Sequence, residues 1–417
     1  MRLALSWAAW PAPDVSPSPN FVVDLHAHFP MQFDPESHDY RRSLRSRRTR
    51  RRRVARPEKL SDRFNFWLLE FADRFFNRAA PLAGHAVTLA TLRAGEVGVA
   101  LSTAYLPFEE LDVDEPHDGP PRDHYFKELC DLLDRVEAEV AASPHARMAH
   151  NYDELEQALA AGQTALIHSV EGGFHLGGSA QAIQKHVQKA AQLGVAYVTV
   201  AHLFWRHVAT NCAALPFLPD SWYHGLFHQP DVGLDDRGRT LIREMARCGI
   251  LIDLTHMSEA SMRDTFAMLE EADPHKTIPV IATHIGCSFG KYEYNLKQEW
   301  VERIAARHGV CGIIYCDHYL RDGRGCHTKT IEQSFALVDR QVEKLRAWGG
   351  DEVLAIGTDH DGFIKPALAG LASAADHPKL MDHLTERFGA SLTAKIAHEN
   401  ALRVLKQGWR QPFAWPP

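Results

Sequence analysis

Four histidines and a glutamate, each at or near the end of an apolar run, are the residues of this 417-residue chain that could do chemistry. They are His26 and His28 in Val-Val-Asp-Leu-His-Ala-His, Glu171 in His-Ser-Val-Glu-Gly-Gly, His256 in Ile-Asp-Leu-Thr-His and His284 in Val-Ile-Ala-Thr-His. Asp359, which closes Leu-Ala-Ile-Gly-Thr-Asp, is a sixth candidate. Imidazole nitrogens combined with carboxylate oxygens suit zinc or a similar divalent ion. Residues i and i+2 of a strand share a side, so His26 and His28 can reach one ion from one strand end. The two oxygens of Glu171 can bridge a pair of ions, and Gly172-Gly173 behind it let backbone or ligand approach closely. Each residue alone has a plainer reading. An isolated His-x-His is often structural, a glutamate can neighbour a helix cap, and a buried histidine is more often hydrogen-bonded than ligating. The set together points to a metal centre.

Two ions roughly 3.5–4 Å apart can hold a shared water, lower its pKa and polarise a scissile carbonyl. A carboxylate must then take the proton and deliver it to the leaving amine. Asp359 is at the right strand end for that role; capping of the turn Thr-Asp-His-Asp-Gly is its alternative, and Asp361 in the same turn competes with it. His202, which ends Tyr-Val-Thr-Val-Ala-His, could donate to a developing oxyanion or be a core histidine.

The elements that must position these groups are eight short apolar runs, at residues 21–28, 97–105, 164–171, 195–202, 249–256, 279–284, 310–316 and 353–359. Each is rich in β-branched residues, as strands covered on both faces are. Helix-like stretches lie between most of them. Residues 179–193 end at Gly194, 239–248 at Gly249 and 328–348 at Gly349-Gly350, glycine being a helix stop. The alternation predicts an α/β fold with a parallel sheet, and eight strands predict closure into a (β/α)8 TIM-type barrel, whose catalytic groups sit at the C-terminal strand ends. No Gly-x-Gly-x-x-Gly follows the first strand, which argues against dinucleotide binding.

Residues 30–85 read as a helical, Arg-rich insertion after the first strand. Residues 41–56, RRSLRSRRTRRRRVAR, would suit an anionic surface. They lack interleaved aromatics, and no nucleic-acid-binding pattern surrounds them, so no nucleic-acid partner is expected. In residues 60–76 the helical spacing of Phe64, Trp67, Leu68, Phe71 and Phe75 predicts one aromatic face, for the core or for a homodimer contact. The formal net charge of -7 adds no argument for nucleic acid. Seven cysteines without CxxC spacing read as reduced thiols, which suits the cytoplasm. The apolar stretch 3–10 is broken by Pro11, Pro13, Pro17 and Pro19, so residues 1–20 are expected to be a disordered leader and residues 21–417 one barrel domain. No apolar run is long enough to cross a membrane.

Taken in order, these motifs resemble the membrane dipeptidase (renal dipeptidase) family of amidohydrolase-like metallohydrolases. The similar pieces are Val-Asp-Leu-His-Ala-His, Leu-Arg-Ala-Gly-Glu-Val-Gly at 92–98, Val-Glu171-Gly-Gly, Tyr-Val-Thr-Val-Ala-His202, Ile-Asp-Leu-Thr-His256-Met-Ser, Pro-Val-Ile-Ala-Thr-His284, Ile-Gly-Thr-Asp359-His-Asp-Gly and Glu-Asn-Ala-Leu-Arg-Val-Leu at 399–405. The resemblance implies a (β/α)8 barrel with two zinc ions that hydrolyses dipeptides, a metallopeptidase of proteolysis. It implies that His26 and the residue at 28 bind the first ion, that Glu171 bridges both, and that His256 and His284 bind the second. It implies further that His202 lies by the substrate carbonyl and that Asp359 handles the proton. Two positions depart from the family. His28 stands where it has aspartate, which removes one negative charge. Tyr294 stands where it has an arginine that grips the substrate's C-terminal carboxylate, with Lys291 as a nearby but poorer fork. The expected activity is therefore amide cleavage in a dipeptide or dipeptide-like small molecule. The alternative is the same barrel acting on an N-acyl amine, lactone or other ester that needs no terminal carboxylate.

Overall fold

Nine parallel strands organise the chain: β1 (Val22–Ala27), β2 (Val97–Ala104), β3 (Ala146–Met148), β4 (Thr164–Glu171), β5 (Tyr197–Thr199), β6 (Leu251–Asp253), β7 (Val280–Ile285), β8 (Val310–Ile313) and β9 (Leu354–Ile356). The computed structural model describes residues 21–33, 84–106, 118–122, 124–215, 218–290, 292–321, 327–362 and 367–416, together with Phe64, Trp67, Phe71 and Glu110. Eight strands close a ring in which β1 pairs with β2, β2 with β4, each strand from β4 to β8 with the next, and β9 with β1. This is the (β/α)8 barrel expected from the runs. Every residue of β1, β4 and β7 is buried, because helices cover one face and barrel side chains fill the other.

The ninth strand was not expected. Ala146 and Met148 of β3 are buried, Arg147 between them is exposed, and the strand lies along the start of β4. There β5 has not yet begun, since it meets β4 only at Val170 and Glu171. Three residues with one outward arginine leave no apolar run to read.

The helices between strands start and stop as their caps dictate. Ala180–Gln192 begins where the Ser179 side chain accepts from the Ala182 amide. Asp236–Cys248 starts earlier than its periodicity suggested, because Asp235 accepts from the amides of Arg237 and Gly238, and it ends at Gly249 in the left-handed region. Ile331–Gly349 is capped by Thr330. The last helix, Asn400–Gly408, brings Ala401, Val404 and Leu405 into one cluster with Val23 and Leu25 of β1 and Ile167 of β4. Burying a side chain of valine or leucine size contributes about 1.5–3 kcal/mol, so the two ends of the described chain hold each other in place.

Several strands are shorter than the runs that contain them. β5, β6 and β9 end at Thr199, Asp253 and Ile356, so His202, His256 and Asp359 sit beyond the regular ladder, in loops at the barrel mouth. Phe64, Trp67 and Phe71 are stacked in sequence, with centroids 6.0 and 5.7 Å apart. They are 56%, 55% and 42% exposed, so these three aromatics do not enter the core of this chain. The leader 1–20, the tract 41–56, Leu68, Phe75 and Lys291 lie outside the described residues. The six described cysteines are free. Among the described residues no helix is long and apolar enough to cross a membrane.

Candidate metal centre

Five imidazoles and two carboxylates from six strand ends meet at the C-terminal mouth of the barrel. Glu171, the last residue of β4, is at the centre. Its Oε1 lies 3.4 Å from His26 Nε2, 3.3 Å from His256 Nε2 and 3.4 Å from His284 Nε2. Its Oε2 lies 3.3 Å from His28 Nε2 and 3.3 Å from His202 Nε2. The Nε2 atoms of His26 and His28 are 3.1 Å apart, as are those of His256 and His284. Asp359 Oδ1 completes the ring, 3.1 Å from His28 Nε2 and 3.8 Å from His26 Nε2. All seven residues are buried.

These spacings fit a divalent ion. Donors about 2.0–2.1 Å from a tetrahedral zinc lie ~3.3 Å from one another. Three sets of donor atoms each cluster within 4.8 Å: His26, Glu171 and His284; His26, His28 and Asp359; and Glu171, His202 and His256. Glu171 Oε1, approached by three imidazole nitrogens, has no hydrogen-bond partner, and neither has His28 Nδ1 or His256 Nδ1. A buried carboxylate oxygen without a donor is costly in a hydrogen-bonded structure and natural in a ligand shell.

The strand ends aim these groups by backbone strain and by paired carboxylates. His256 and Asp359 both have left-handed backbones, φ 67° and 58°. Such residues are uncommon outside glycine, and the strain they carry is of order 1–3 kcal/mol. The His256 carbonyl is held by the Cys212 amide, and the Asp359 amide donates to the His26 carbonyl. Two buried aspartates then lock neighbouring strands together. Asp24 of β1 accepts from the Thr358 amide and hydroxyl, at 2.9 and 2.6 Å. Asp253 of β6 accepts from the Thr283 amide and hydroxyl, at 3.0 and 2.7 Å, and from the Thr199 hydroxyl at 2.6 Å. Thr358 directly precedes Asp359, and Thr283 directly precedes His284. The Thr283 hydroxyl also lies 2.9 Å from His284 Nδ1, and the Tyr197 hydroxyl 2.7 Å from His26 Nδ1. Both contacts leave the Nε2 atoms facing Glu171. Gly362 leaves room for this arrangement, because a Cβ there would lie 1.8 Å from Asp359 Oδ1.

Electrostatics divides the imidazoles. Burial pushes His256 down to about 3 and His26 well below the ordinary imidazole range, helped at His26 by its neighbour His284. Neutral imidazole is the form that binds a metal. Burial also opposes charge on His28, but hydrogen bonds to Asp359 and Glu171 outweigh it and raise that residue to about 10. Burial raises Asp359, whereas the surrounding imidazoles hold Glu171 well below the carboxylate range despite its burial. The two carboxylates therefore stabilise a proton on His28 itself, which binding of a metal there would release.

His26, His28, Glu171, His202, His256, His284 and Asp359 thus converge here. Asp361 does not: its carboxylate accepts from the amides of Ala86 and Val87, at 3.0 and 2.9 Å, and secures the loop before β2. Tyr294 is buried against the site. Its hydroxyl donates to the His284 carbonyl at 2.5 Å, and its ring stacks on Tyr319 at 4.0 Å. One contributor escaped sequence reading. Glu110 is fully buried and meets His202 Nδ1 at 2.5 Å through Oε2. It lies outside every apolar run and belongs to no motif, so sequence offered no signal for it.

Comparison with known proteins agrees with this picture. The model of the family described as membrane dipeptidase (peptidase family M19) matches residues 48–411. That span begins after β1, so it includes neither His26 nor His28. The chain is 27% identical over 343 residues to dipeptidase tcpJ of Claviceps purpurea (strain 20.1), covering 80% of this chain and 72% of that protein. It is 27% identical over 249 residues to an uncharacterised dipeptidase of Schizosaccharomyces pombe, covering 59% of this chain and 53% of that one. Among solved structures, a metallo peptidase from Rhodobacter sphaeroides liganded with a phosphinate mimic of the dipeptide L-Ala-D-Ala aligns with a TM-score of 0.66 and 18% identity, covering 93% of this chain and 99% of that one. The dipeptidase AC, another metallo peptidase, aligns at 0.64 and 19%, covering 85% and 97%. At these identities the structural likeness is one of fold.

Proposed function

The chain belongs to the membrane dipeptidase family, peptidase family M19, and from that premise we propose that it is a binuclear metallohydrolase cleaving the amide bond of a dipeptide or dipeptide-like small molecule. Metal-dependent hydrolysis of the dipeptidase kind follows from the family; the two ions, their identity as zinc and the residue roles are our reading. One observation carries it: five imidazoles from four strand ends converge on the two oxygens of one buried glutamate.

In this reading His26 and His28 would hold one ion, His256 and His284 the other, and Glu171 would be shared by both. When bound, such ions supply Lewis acidity that acidifies water and polarises a carbonyl. Asp359 takes the proton of the attacking water as the C–O bond forms and returns it to the amine nitrogen as the C–N bond breaks. His202 donates from Nε2 to the carbonyl oxygen as negative charge develops there. Residues 21–417 act as one barrel domain with 30–85 inserted, and the exposed Phe64, Trp67 and Phe71 are where a second copy would pack.

Tyr294 favours a second reading of specificity. Its hydroxyl is committed to the His284 carbonyl and its ring to Tyr319, so it offers no charge-assisted fork to a carboxylate. This suits substrates without a free C-terminal carboxylate, such as an N-acyl amine or a lactone. Hydrolysis of an L,L and L,D dipeptide panel by zinc-loaded protein, with a chelated control and with each peptide also offered as its C-terminal amide, tests both. Chelator-sensitive cleavage of free dipeptides is expected under the first reading, and a preference for capped ones under the second. Turnover that survives chelation would sink both.

A further inference from the structure

The Glu110 carboxylate meets three partners, through both of its oxygens. Oε1 accepts from the Phe204 amide at 3.0 Å. Oε2 accepts from the Tyr105 hydroxyl at 2.8 Å and meets His202 Nδ1 at 2.5 Å. The Glu110 carbonyl accepts from Arg206 Nη2 at 2.6 Å, which ties the residue's backbone to the loop after β5. A carboxylate that already accepts from an amide and a phenol meets His202 as an acceptor too, so His202 Nδ1 carries the proton. The other ring nitrogen, Nε2, is turned the opposite way and lies 3.3 Å from Glu171 Oε2, a second carboxylate acceptor, so the ring has an N–H to offer at each end as an imidazolium. The Tyr105 ring packs edge-on against His202, centroid to centroid 4.5 Å, and blocks rotation of the imidazole.

We propose that Glu110 is the positioning residue of His202, accepting its Nδ1–H and thereby aiming Nε2–H at the substrate carbonyl. Glu110 touches neither substrate nor ion; it acts through one imidazole. This rests on the reading above in which His202 faces the substrate. A carboxylate behind a histidine holds the ring's orientation and stabilises its imidazolium, and removing such a partner is a loss of preorganisation rather than of binding. The role is distinct from that of Asp253 and Tyr197, whose bonds run to the strand ends bearing His26 and His284.

Glu110→Gln keeps the shape but turns one acceptor oxygen into a donor amide. With any substrate from the panel, the variant is expected to lower kcat about ten- to a hundredfold while KM moves less. A double-mutant cycle separates positioning from folding. Glu110→Gln is expected to add no further loss in a His202→Ala background, and multiplying losses would overturn the proposal. A second measurement needs no substrate. Long-range proton–nitrogen spectra of histidine-labelled, zinc-loaded protein should show His202, assigned by His202→Ala, protonated at Nδ1 in the wild type and altered in Glu110→Gln. An unchanged His202 signal in the variant would overturn the proposal whether or not the proposed activity stands.

Discussion

Asp359 and His28 form the tightest carboxylate–imidazole contact between residues assigned to the metal centre, 3.1 Å apart. Asp359 is reached by His26 only at 3.8 Å, so it stands at the rim of the ligand set and can give and take a proton without dismantling the set. Asp359→Asn is expected to retain metal, measured by elemental analysis, while kcat falls by about two to four orders of magnitude. Normal turnover would remove Asp359 from the proton path. At this scale strand periodicity predicts where His26, Glu171 and His284 point, since they lie on strands, whereas for His202, His256 and Asp359 the end of an apolar run gave the place but not the direction, which the loops set. The sequence was silent on Glu110, which reaches His202 from a segment with no periodic pattern, and it left Asp359 and Asp361 as equals. The bonds of Asp361 to the Ala86 and Val87 amides, 274 residues or more away in the chain, separate the two.

At the scale of the strand, the same device occurs twice. An aspartate on one strand grips the threonine before a site residue on the next, Asp24 with Thr358 and Asp253 with Thr283. Both aspartates stand in full view in Val-Val-Asp-Leu-His and Ile-Asp-Leu-Thr-His, yet the sequence could not pair them. Pairing depends on which strands are adjacent, and β1 meets β9 only when the ring closes. Because Thr283 serves both Asp253 and His284, Asp253→Asn and Thr283→Val should each weaken metal affinity about ten- to a hundredfold. Competition with a chromogenic chelator reads this out, and an unchanged affinity in both variants would make the clamp purely structural.

Over the whole molecule, a second carboxylate–histidine group sets a pH range far from the mouth. Glu137 meets His150 Nε2 at 2.8 Å and His168 Nε2 at 3.0 Å, while Glu154 meets His150 Nδ1 at 2.9 Å. Burial would raise Glu137, but its two histidines hold it down to about 2. The bond to Glu137 lifts His150 to about 9 against partial burial. The histidine contribution is complete below its ordinary value of 6.5 and fades as pH rises through about 9. The glutamate contribution is complete above 4.5 and fades as pH falls through about 2. Unfolding midpoints in urea should therefore separate wild type from Glu137→Gln most widely between those ordinary values, and the gap should narrow on either side. A gap independent of pH would contradict the pairing. Glu137 and His150 are 37% and 38% exposed, so solvent screening keeps the effect modest.

The ring closes between its first strand and its last. His26 lies on β1 and His28 directly after it, and Asp359 follows 331 residues after His28. Without β9, β1 pairs with β2 alone. A chain halted before β9 owns all five site histidines and Glu171, yet it lacks both the wall against which β1 settles and the carboxylate that meets His28. The seam of the barrel and the last group of the site belong to one stretch of chain.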